Sequence, residues 1–173
     1  MKIKGYQLNT VDLDDIKSPR IRELVEWYDA LPREGEQWPT PESFKPQTIP
    51  PKTLPHIGKV TVETNPFRVF YRAVGTTICE SLGMNVSGKY LDETGLPQTR
   101  DLEDIYRFLI RHNDYFFIKS QQTVMGQEFD YEGCALPFGN KNEELRTFVI
   151  AEDYLPEEIW KEALRKRSYA IKL

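Results

Sequence analysis

Apolar residues are grouped into β-type runs in five segments of the chain and recur at helical spacing in three others. Residues 57–63 and 67–74 are rich in Val, Thr, Phe and Tyr, and the short break at Asn65-Pro66 between them predicts a β-hairpin. Three later runs predict further strands over residues 115–124, 128–138 and 145–154, with turns at Gly126 and Gly139-Asn140.

The helical segments carry their own start signals. Ser18-Pro19 provides an N-cap followed by proline at the first helical position, and the apolar period after it predicts a helix from Pro19 to Leu31. A second helix is predicted around residues 102–110, and a third begins at Pro156. Between hairpin and second helix, residues 77–82 predict a short helix capped by Thr76 and closed by Gly83.

The segment between the first helix and the hairpin contains seven prolines from Pro32 to Pro55, too many for regular structure. Its apolar residues predict an ordered connector that wraps the domain. The element order predicts an α+β fold, with a five-stranded antiparallel sheet covered by helices on one face and flanked by N-terminal and C-terminal helices. The expected divisions are an N-terminal extension with its helix over residues 1–37, the central domain over 38–154, and a C-terminal helix over 155–173.

Composition narrows the function classes. The 173 residues carry a formal net charge of −4, which argues against a general nucleic-acid binder, because such proteins show a basic footprint. No stretch approaches the roughly 18 apolar residues of a membrane helix, and no signal peptide is evident at the N-terminus. With two cysteines, we expect a reduced, cytoplasmic protein that contacts neither membrane nor nucleic acid.

Several short motifs follow one another through the middle of the chain. They are Trp38-Pro39, Phe44-Lys45-Pro46, Leu54-Pro55-His56-Ile57, Phe70-Tyr71-Arg72-Ala73-Val74-Gly75-Thr76, Ser87-Gly88-Lys89 and the run from Tyr131 to Phe138. In this order they resemble a PAS-like family that is common in alphaproteobacteria, and the predicted connectivity is also that of a PAS domain. The resemblance covers about residues 38–154 and implies a sensory or ligand-binding module.

Five residues are the candidate ligand-binding set: Tyr71, Arg72, Tyr106, Ile110 and Cys134. Arg72 lies in a largely apolar strand and needs a partner, either a ligand carboxylate or a protein acid such as Glu132 or Asp92. The helix face that carries Tyr106 and Ile110 is expected to be core, and in a PAS arrangement the same face would line the pocket between sheet and helices.

Other motifs have simpler interpretations. The sequence from Gly83 to Lys89 has the spacing of a phosphate-binding loop, but it follows a helix and lacks the final Ser or Thr, so backbone geometry explains its glycines better. His112 at a helix end could ligate haem, although a helix-end cation is the simpler role. Cys79 and Cys134 lack a C-x-x-C partner and are expected to be core residues rather than redox sensors. No catalytic motif or metal-ligand spacing is evident, and neither haem nor flavin is indicated.

The expected function is therefore that of a non-catalytic sensory module that binds a small molecule, a signalling partner protein, or both. The helix from Pro19 to Leu31 is a candidate homodimer surface with Trp27 as its anchor, although packing on its own domain explains the same pattern. Two other functions stay open. One is a ligand-free interaction or dimerisation module, and the other is a small α+β enzyme with a deep cavity and a perturbed carboxylate or histidine.

Overall fold

The computed structural model describes residues 2–3, 6–7, 9–33, 35, 37–112, 114–124, 127–139 and 145–170. Within these ranges the strands are β1 (Lys2–Ile3), β2 (Tyr6–Gln7), β3 (Asn9–Val11), β4 (Ile57–Thr64), β5 (Phe67–Val74), β6 (Lys89–Tyr90), β7 (Phe116–Val124), β8 (Gln127–Phe138) and β9 (Leu145–Leu155). The helices are α1 (Pro19–Asp29), α2 (Thr76–Leu82), α3 (Thr99–His112) and α4 (Glu157–Ala170). The predicted turn residues Gly126 and Asn140 lie outside the described residues.

One antiparallel sheet organises the fold, in the order β3-β7-β8-β9-β4-β5-β6. The predicted hairpin is present, since β4 and β5 pair from Thr64↔Phe67 onward across a two-residue turn. Its first strand closes against the last strand, β9. The α+β class and the antiparallel sheet are confirmed, but the prediction of five strands is wrong. Two short strands, β3 and β6, extend the sheet at its edges, and segments of two or three residues are too short to show a period.

Helices α3 and α4 cover one face of this sheet, and the N-terminal flanking helix α1 covers the other. The front face carries Val60, Tyr71 and Phe148 and packs against α3 and α4. The back face carries Cys134, Leu136 and Val149 and packs against α1. Because successive strand residues point to opposite faces, each face has its own apolar core.

Helix α1 has the predicted start and occupies the back face. The Ser18 hydroxyl accepts a hydrogen bond from the backbone N–H of Ile21 (3.2 Å), as an N-cap should. The buried apolar residues of the helix are Ile21, Leu24, Val25 and Tyr28, and they pack on the sheet. Trp27 is half-buried and its indole N–H donates to the Thr48 hydroxyl at 2.9 Å. The apolar face proposed for a homodimer is thus occupied by packing within the chain, which was the alternative interpretation.

Glycine 75 joins the hairpin to the proline-rich connector. It is the N-cap of α2 in place of the predicted Thr76, and its N–H donates to the carbonyl of Ile57 at 2.7 Å. A methyl group at this position would overlap the backbone carbonyl of Pro55, so a side chain cannot be accommodated without movement of the connector. The left-handed Gly83 (φ 77°) then ends α2, as predicted.

The described part of the chain contains no helix that is both long and apolar enough to cross a membrane.

Candidate ligand-binding site

The centre of the front face has unusually small residues. Gly133 of β8 lies opposite Glu152 of β9, and Ala135 lies opposite Ile150, which in turn is opposite Gly58 of β4. Two glycines and an alanine among large apolar neighbours leave little side-chain volume at this point of the sheet. Polar groups from adjacent strands can therefore extend over it.

Glu152 is the acidic residue on this part of the front face. Alternation along β9 places it on the same side as Phe148, Ile150 and Tyr154. Its carboxylate accepts hydrogen bonds from the hydroxyls of Tyr154 (3.4 Å) and Tyr131. A Cβ atom on Gly133 would lie 3.0 Å from the Tyr131 hydroxyl oxygen, so the absence of a side chain at 133 lets that hydroxyl take its position.

Two further tyrosines approach from β5 and α3. The hydroxyls of Tyr71 and Tyr106 hydrogen-bond to each other, and the charge of Glu152 acts on both. We call Tyr71, Tyr106, Tyr131, Tyr154 and Glu152 the tyrosine–glutamate cluster. Burial raises the pKa of Tyr71 to about 12 and the pKa values of Tyr106 and Tyr131 well above their usual range, so these hydroxyls are neutral and able to donate hydrogen bonds.

Glu152 has no cationic partner among the described residues. Burial raises the pKa of its carboxyl from 4.5 to about 7, and the hydrogen bonds from Tyr154 and Tyr131 oppose that shift only in part. By its accessible surface the residue is nevertheless half-buried. We take the region in front of this half-buried residue, between the sheet and helices α3 and α4, as the candidate crevice. The arrangement can accept hydrogen bonds and positive charge from a molecule in that crevice.

The back face of the same two strands holds a second pair of carboxylates, Glu132 and Asp153, both fully buried. Glu132 accepts hydrogen bonds from the backbone N–H groups of Lys17 (2.8 Å) and Ser18 (2.7 Å), and the Lys119 ammonium lies 3.0 Å from its other oxygen. Asp153 accepts a hydrogen bond from the Ser18 hydroxyl at 2.7 Å. We call Glu132 and Asp153, with the groups that bind them, the back-face acid cluster.

Arg20 and His56 complete the back-face acid cluster. The Arg20 guanidinium donates to Asp153 at 3.2 Å and also to Glu157, at the start of α4. His56 Nδ1 lies 3.5 Å from Asp153 and 3.1 Å from the backbone oxygen of Glu152. Burial lowers the pKa of His56, and the nearby Asp153 only partly opposes this shift. The cluster joins α1, β9 and α4 through paired charges.

Comparison with solved structures finds several similar chains, of which two are described here. The chain is similar to the PAS domain of BvgS from Bordetella pertussis, with 15% identity and a TM-score of 0.44, over 68% of this chain and 88% of that one. It is also similar to an RNA-binding light-oxygen-voltage receptor, with 13% identity and a TM-score of 0.36, over 67% of this chain and 34% of that one. Neither a family model nor a curated protein sequence matches. Both TM-scores are below 0.5, so neither similarity carries an argument about this chain.

The structure divides the predicted ligand-binding set. Tyr71 and Tyr106 come together in the tyrosine–glutamate cluster, and Ile110 packs at the edge of the same core. Arg72 does not join them, because it is exposed on the opposite side of β5. Its Nε–H donates to the Thr61 hydroxyl at 3.2 Å.

The acids proposed as partners for Arg72 have other cations. Glu132 pairs with Lys119, and Asp92 lies 2.9 Å from Arg68. Neither of the two acids proposed as a protein partner for Arg72 is therefore its partner. An exposed guanidinium is solvated and needs no such partner.

Cys134 is likewise separated from the cluster. It lies on the back face beneath α1, with the sheet between it and Tyr71, and burial raises the pKa of its thiol to about 12. This agrees with a core cysteine and not with a ligand contact beside Tyr71.

The remaining motifs have structural explanations. His112 is exposed, and its ring stacks on Phe108 with centroids 5.3 Å apart. Gly83 and Gly88 both have positive φ (77° and 74°), and the predicted phosphate-loop spacing follows α2 instead of opening a helix. In the residues that the structure describes, no group of three His, Cys, Asp or Glu is placed to hold a metal ion.

Sequence reasoning missed Glu152, Tyr131 and Tyr154. The signal was present in β9, where Glu152 follows Phe148 and Ile150 at every second position and therefore lies on the same face of the strand. An acid in the apolar register of a strand indicates a buried carboxylate, and it becomes visible when each strand is divided by parity.

Proposed function

We propose that this chain is a non-catalytic sensory module of the PAS type, which binds a small molecule at the tyrosine–glutamate cluster and signals to a partner protein. The observation that carries the proposal is the placement of Glu152. Glu152 lies on the front face of the sheet and is half-buried, and its carboxylate is bound by tyrosine hydroxyls without a described cation. Buried carboxylates are normally paired, and unpaired ones concentrate at functional sites.

The connectivity supports the PAS assignment. A hairpin, intervening helices and three antiparallel strands follow one another, and the hairpin closes on the last strand. This is the connectivity that the motif resemblance implies. In this proposal residues 38–154 form the sensory domain, and α1 and α4 are the flanking helices that report its state.

The output route begins one residue from the ligand site. Glu152 faces the crevice, and the adjacent Asp153 binds Arg20, which also binds Glu157 of α4. On the front face, the ring of Tyr154 stacks on Trp160 of α4, with centroids 3.9 Å apart. A ligand that shifts β9 or Tyr154 therefore changes the contacts of both flanking helices, which is a population shift between two helix arrangements.

Native mass spectrometry of the purified chain tests the binding function. We expect a small-molecule adduct on the wild-type protein, lost in Glu152→Gln and kept in Glu128→Gln. Glu128 is an exposed carboxylate on β8 and gives the same charge change away from the crevice. Equal adduct occupancy in wild type and Glu152→Gln would overturn the assignment of the site. A protein that carries no adduct and shows no melting shift with a metabolite library would support the ligand-free interaction module instead.

A second candidate function has one specific observation in its favour. A carboxyl with a pKa of about 7, flanked by two tyrosine hydroxyls, has the protonation behaviour of a general base. An enzyme that used Glu152 in this way would convert its ligand, whereas a sensor releases it unchanged. Mass analysis of the bound molecule after prolonged incubation distinguishes the two functions.

A further inference from the structure

We propose that the ligand of the tyrosine–glutamate cluster is an organic cation, either a protonated alkyl or arylalkyl amine or a quaternary ammonium compound. This inference rests on the proposed function, in that it assigns a chemical class to the molecule bound there. It follows from charge balance, from the aromatic surroundings and from two polar atoms left without partners.

Charge balance gives the first argument. On the back face of the same strands, Glu132 lies 3.0 Å from Lys119, and Asp153 lies 3.2 Å from Arg20. The fold thus supplies a cation to each carboxylate that it buries there. Glu152 receives only hydroxyl groups from the described residues. An enclosed carboxylate is costly without an opposite charge, and a ligand cation in the crevice would provide it.

The aromatic surroundings give the second argument. Tyr131 and Tyr154 have ring centroids 5.2 Å apart with planes at 61°, and Tyr71 and Tyr106 have centroids 6.2 Å apart at 73°. Trp160 stacks on Tyr154 and extends the aromatic wall. The surroundings of the carboxylate are therefore aromatic, and aromatic rings attract ammonium groups through the cation–π interaction.

Two buried polar atoms beside the tyrosines give the third argument. The Ser120 hydroxyl has no hydrogen-bond partner within the described ranges, and its residue is 9% exposed and directly opposite Tyr131 in the sheet. The indole N–H of Trp160, a residue only 3% exposed, also lacks a partner there. Buried polar groups are normally satisfied, so these atoms indicate that the neighbourhood is completed by a further molecule.

Other ligand classes fit less well. An anion would meet the charge of Glu152 with no described cation to oppose it. A neutral molecule could accept hydrogen bonds from Trp160 and Ser120, but it would not stabilise the ionised form of Glu152, whereas a cation would. A cation with an apolar body satisfies the carboxylate, the aromatic rings and the apolar front face together.

Two pairs of probes test the charge requirement directly. Choline is compared with its neutral isostere 3,3-dimethyl-1-butanol, and phenethylamine is compared with 2-phenylethanol. Dissociation constants are measured by NMR chemical-shift titration at pH 8, where Glu152 is ionised. We expect the cation of at least one pair to bind the wild-type chain at least tenfold more tightly than its isostere. That ratio should fall to about one in Glu152→Gln and stay unchanged in Glu128→Gln.

A second measurement keeps the test decisive if Glu152→Gln does not fold. At pH 5 the wild-type carboxyl is largely protonated, so the preference for the cation should be lost, although choline and phenethylamine both remain positively charged. Among the described residues, the titratable groups that face Glu152 are the tyrosine hydroxyls of the cluster, from β5, β8, β9 and α3, and tyrosines ordinarily ionise only near pH 10. His56 contacts the backbone of Glu152 from the other face, beside Asp153.

The outcomes separate the ligand class from the site itself. Equal binding of cation and isostere, with both weakened by Glu152→Gln, overturns the cation and leaves the binding site in place. If no probe binds, the adduct seen by native mass spectrometry decides. A neutral or anionic adduct overturns the inference, a cationic one supports it, and the absence of any adduct overturns the proposed binding function as well.

Discussion

Strands β8 and β9 carry buried carboxylates on both faces, and the two faces treat them differently. On the back, Glu132 and Asp153 are surrounded by an ammonium group, a guanidinium group, backbone N–H groups and a hydroxyl. On the front, the described residues provide Glu152 with tyrosine hydroxyls alone. The difference teaches that burial of an acid does not by itself indicate function. The completeness of its compensation distinguishes a structural ion cluster from a candidate ligand site.

The largest expected effect is on the compensated side. Asp153→Ala removes the acceptor for the Ser18 hydroxyl and one of the two carboxylates that bind the partly buried Arg20 guanidinium, which keeps Glu157. Breaking a buried charge pair in this way costs about 3–5 kcal/mol. Urea unfolding at pH 7 measures the loss, and the exposed Asp130→Ala on β8 is the control, expected within about 0.5 kcal/mol of wild type. A loss below about 1 kcal/mol for Asp153→Ala would contradict the assignment of this cluster as structural.

On the front face, removing the charge of Glu152 is expected to stabilise the protein at neutral and higher pH. The folded pKa of Glu152, about 7, exceeds its unfolded value of 4.5, so the folded state holds the proton more tightly. The wild-type free energy of unfolding should therefore fall, relative to Glu152→Gln, as pH rises from about 4.5 to 7. Above pH 7 the variant should be more stable, by an amount on the order of 3 kcal/mol. Urea unfolding at several pH values checks this, and a constant difference across that range would refute it.

Adding a side chain at Gly133, beneath the tyrosine–glutamate cluster, should have a smaller effect on stability. A Cβ on Gly133 would lie 3.0 Å from the Tyr131 hydroxyl and 3.1 Å from Ile118 Cγ1. Gly133→Ala should cost about 1–3 kcal/mol through overpacking. It should also displace the Tyr131 hydroxyl from Glu152, which an NMR titration of the Glu152 carboxyl would report as a higher pKa. An unchanged pKa would mean that Tyr131 does not depend on the space at 133.

Removing that hydroxyl alone sharpens the comparison further. In Tyr131→Phe the ring is kept and one hydrogen bond to the carboxylate is lost, so the pKa of Glu152 should rise above its wild-type value. The stability change should be about 0.5–1.5 kcal/mol at pH 8. Tyr90→Phe provides a matched control, since that hydroxyl donates to Glu63 outside the crevice, at 2.8 Å. A fall in the Glu152 pKa would contradict the hydrogen bond.

The smallest effect is expected at a residue that the sequence favoured. Arg72 is exposed and lies across β5 from the cluster, so Arg72→Ala should change stability by no more than about 0.5 kcal/mol. Binding of the choline or phenethylamine probe should be unaffected, as measured by NMR titration. A tenfold loss of binding would restore Arg72 as a ligand contact.

The elements with strong local signals could be predicted from the sequence. Ser18-Pro19 marks the start of α1, and the two-residue break at Asn65-Pro66 joins β4 to β5, because capping and turn chemistry are encoded in neighbouring residues. The edge strands β3 and β6 could not be predicted, since pairing with a distant strand creates them.

The candidate site depended on information that a single strand does not contain. The parity of β5 separates Tyr71 from Arg72, but only the packing of α1 on the back face shows which parity meets which helices. For this reason the sequence alone does not separate Cys134 from Tyr71. The missing cation at Glu152 could be recognised only after Lys119 and Arg20 were located on the other face.

The contact between Gly75 and the carbonyl of Pro55 has a consequence for how the chain holds together. The C-terminal end of the proline-rich connector packs there against the junction of β5 and α2. Nearer the start of the connector, Phe44 makes an edge-to-face contact with Trp27 of α1. A single protease cut between these two points would leave both fragments attached to the same sheet, so the nicked protein should still migrate as one particle.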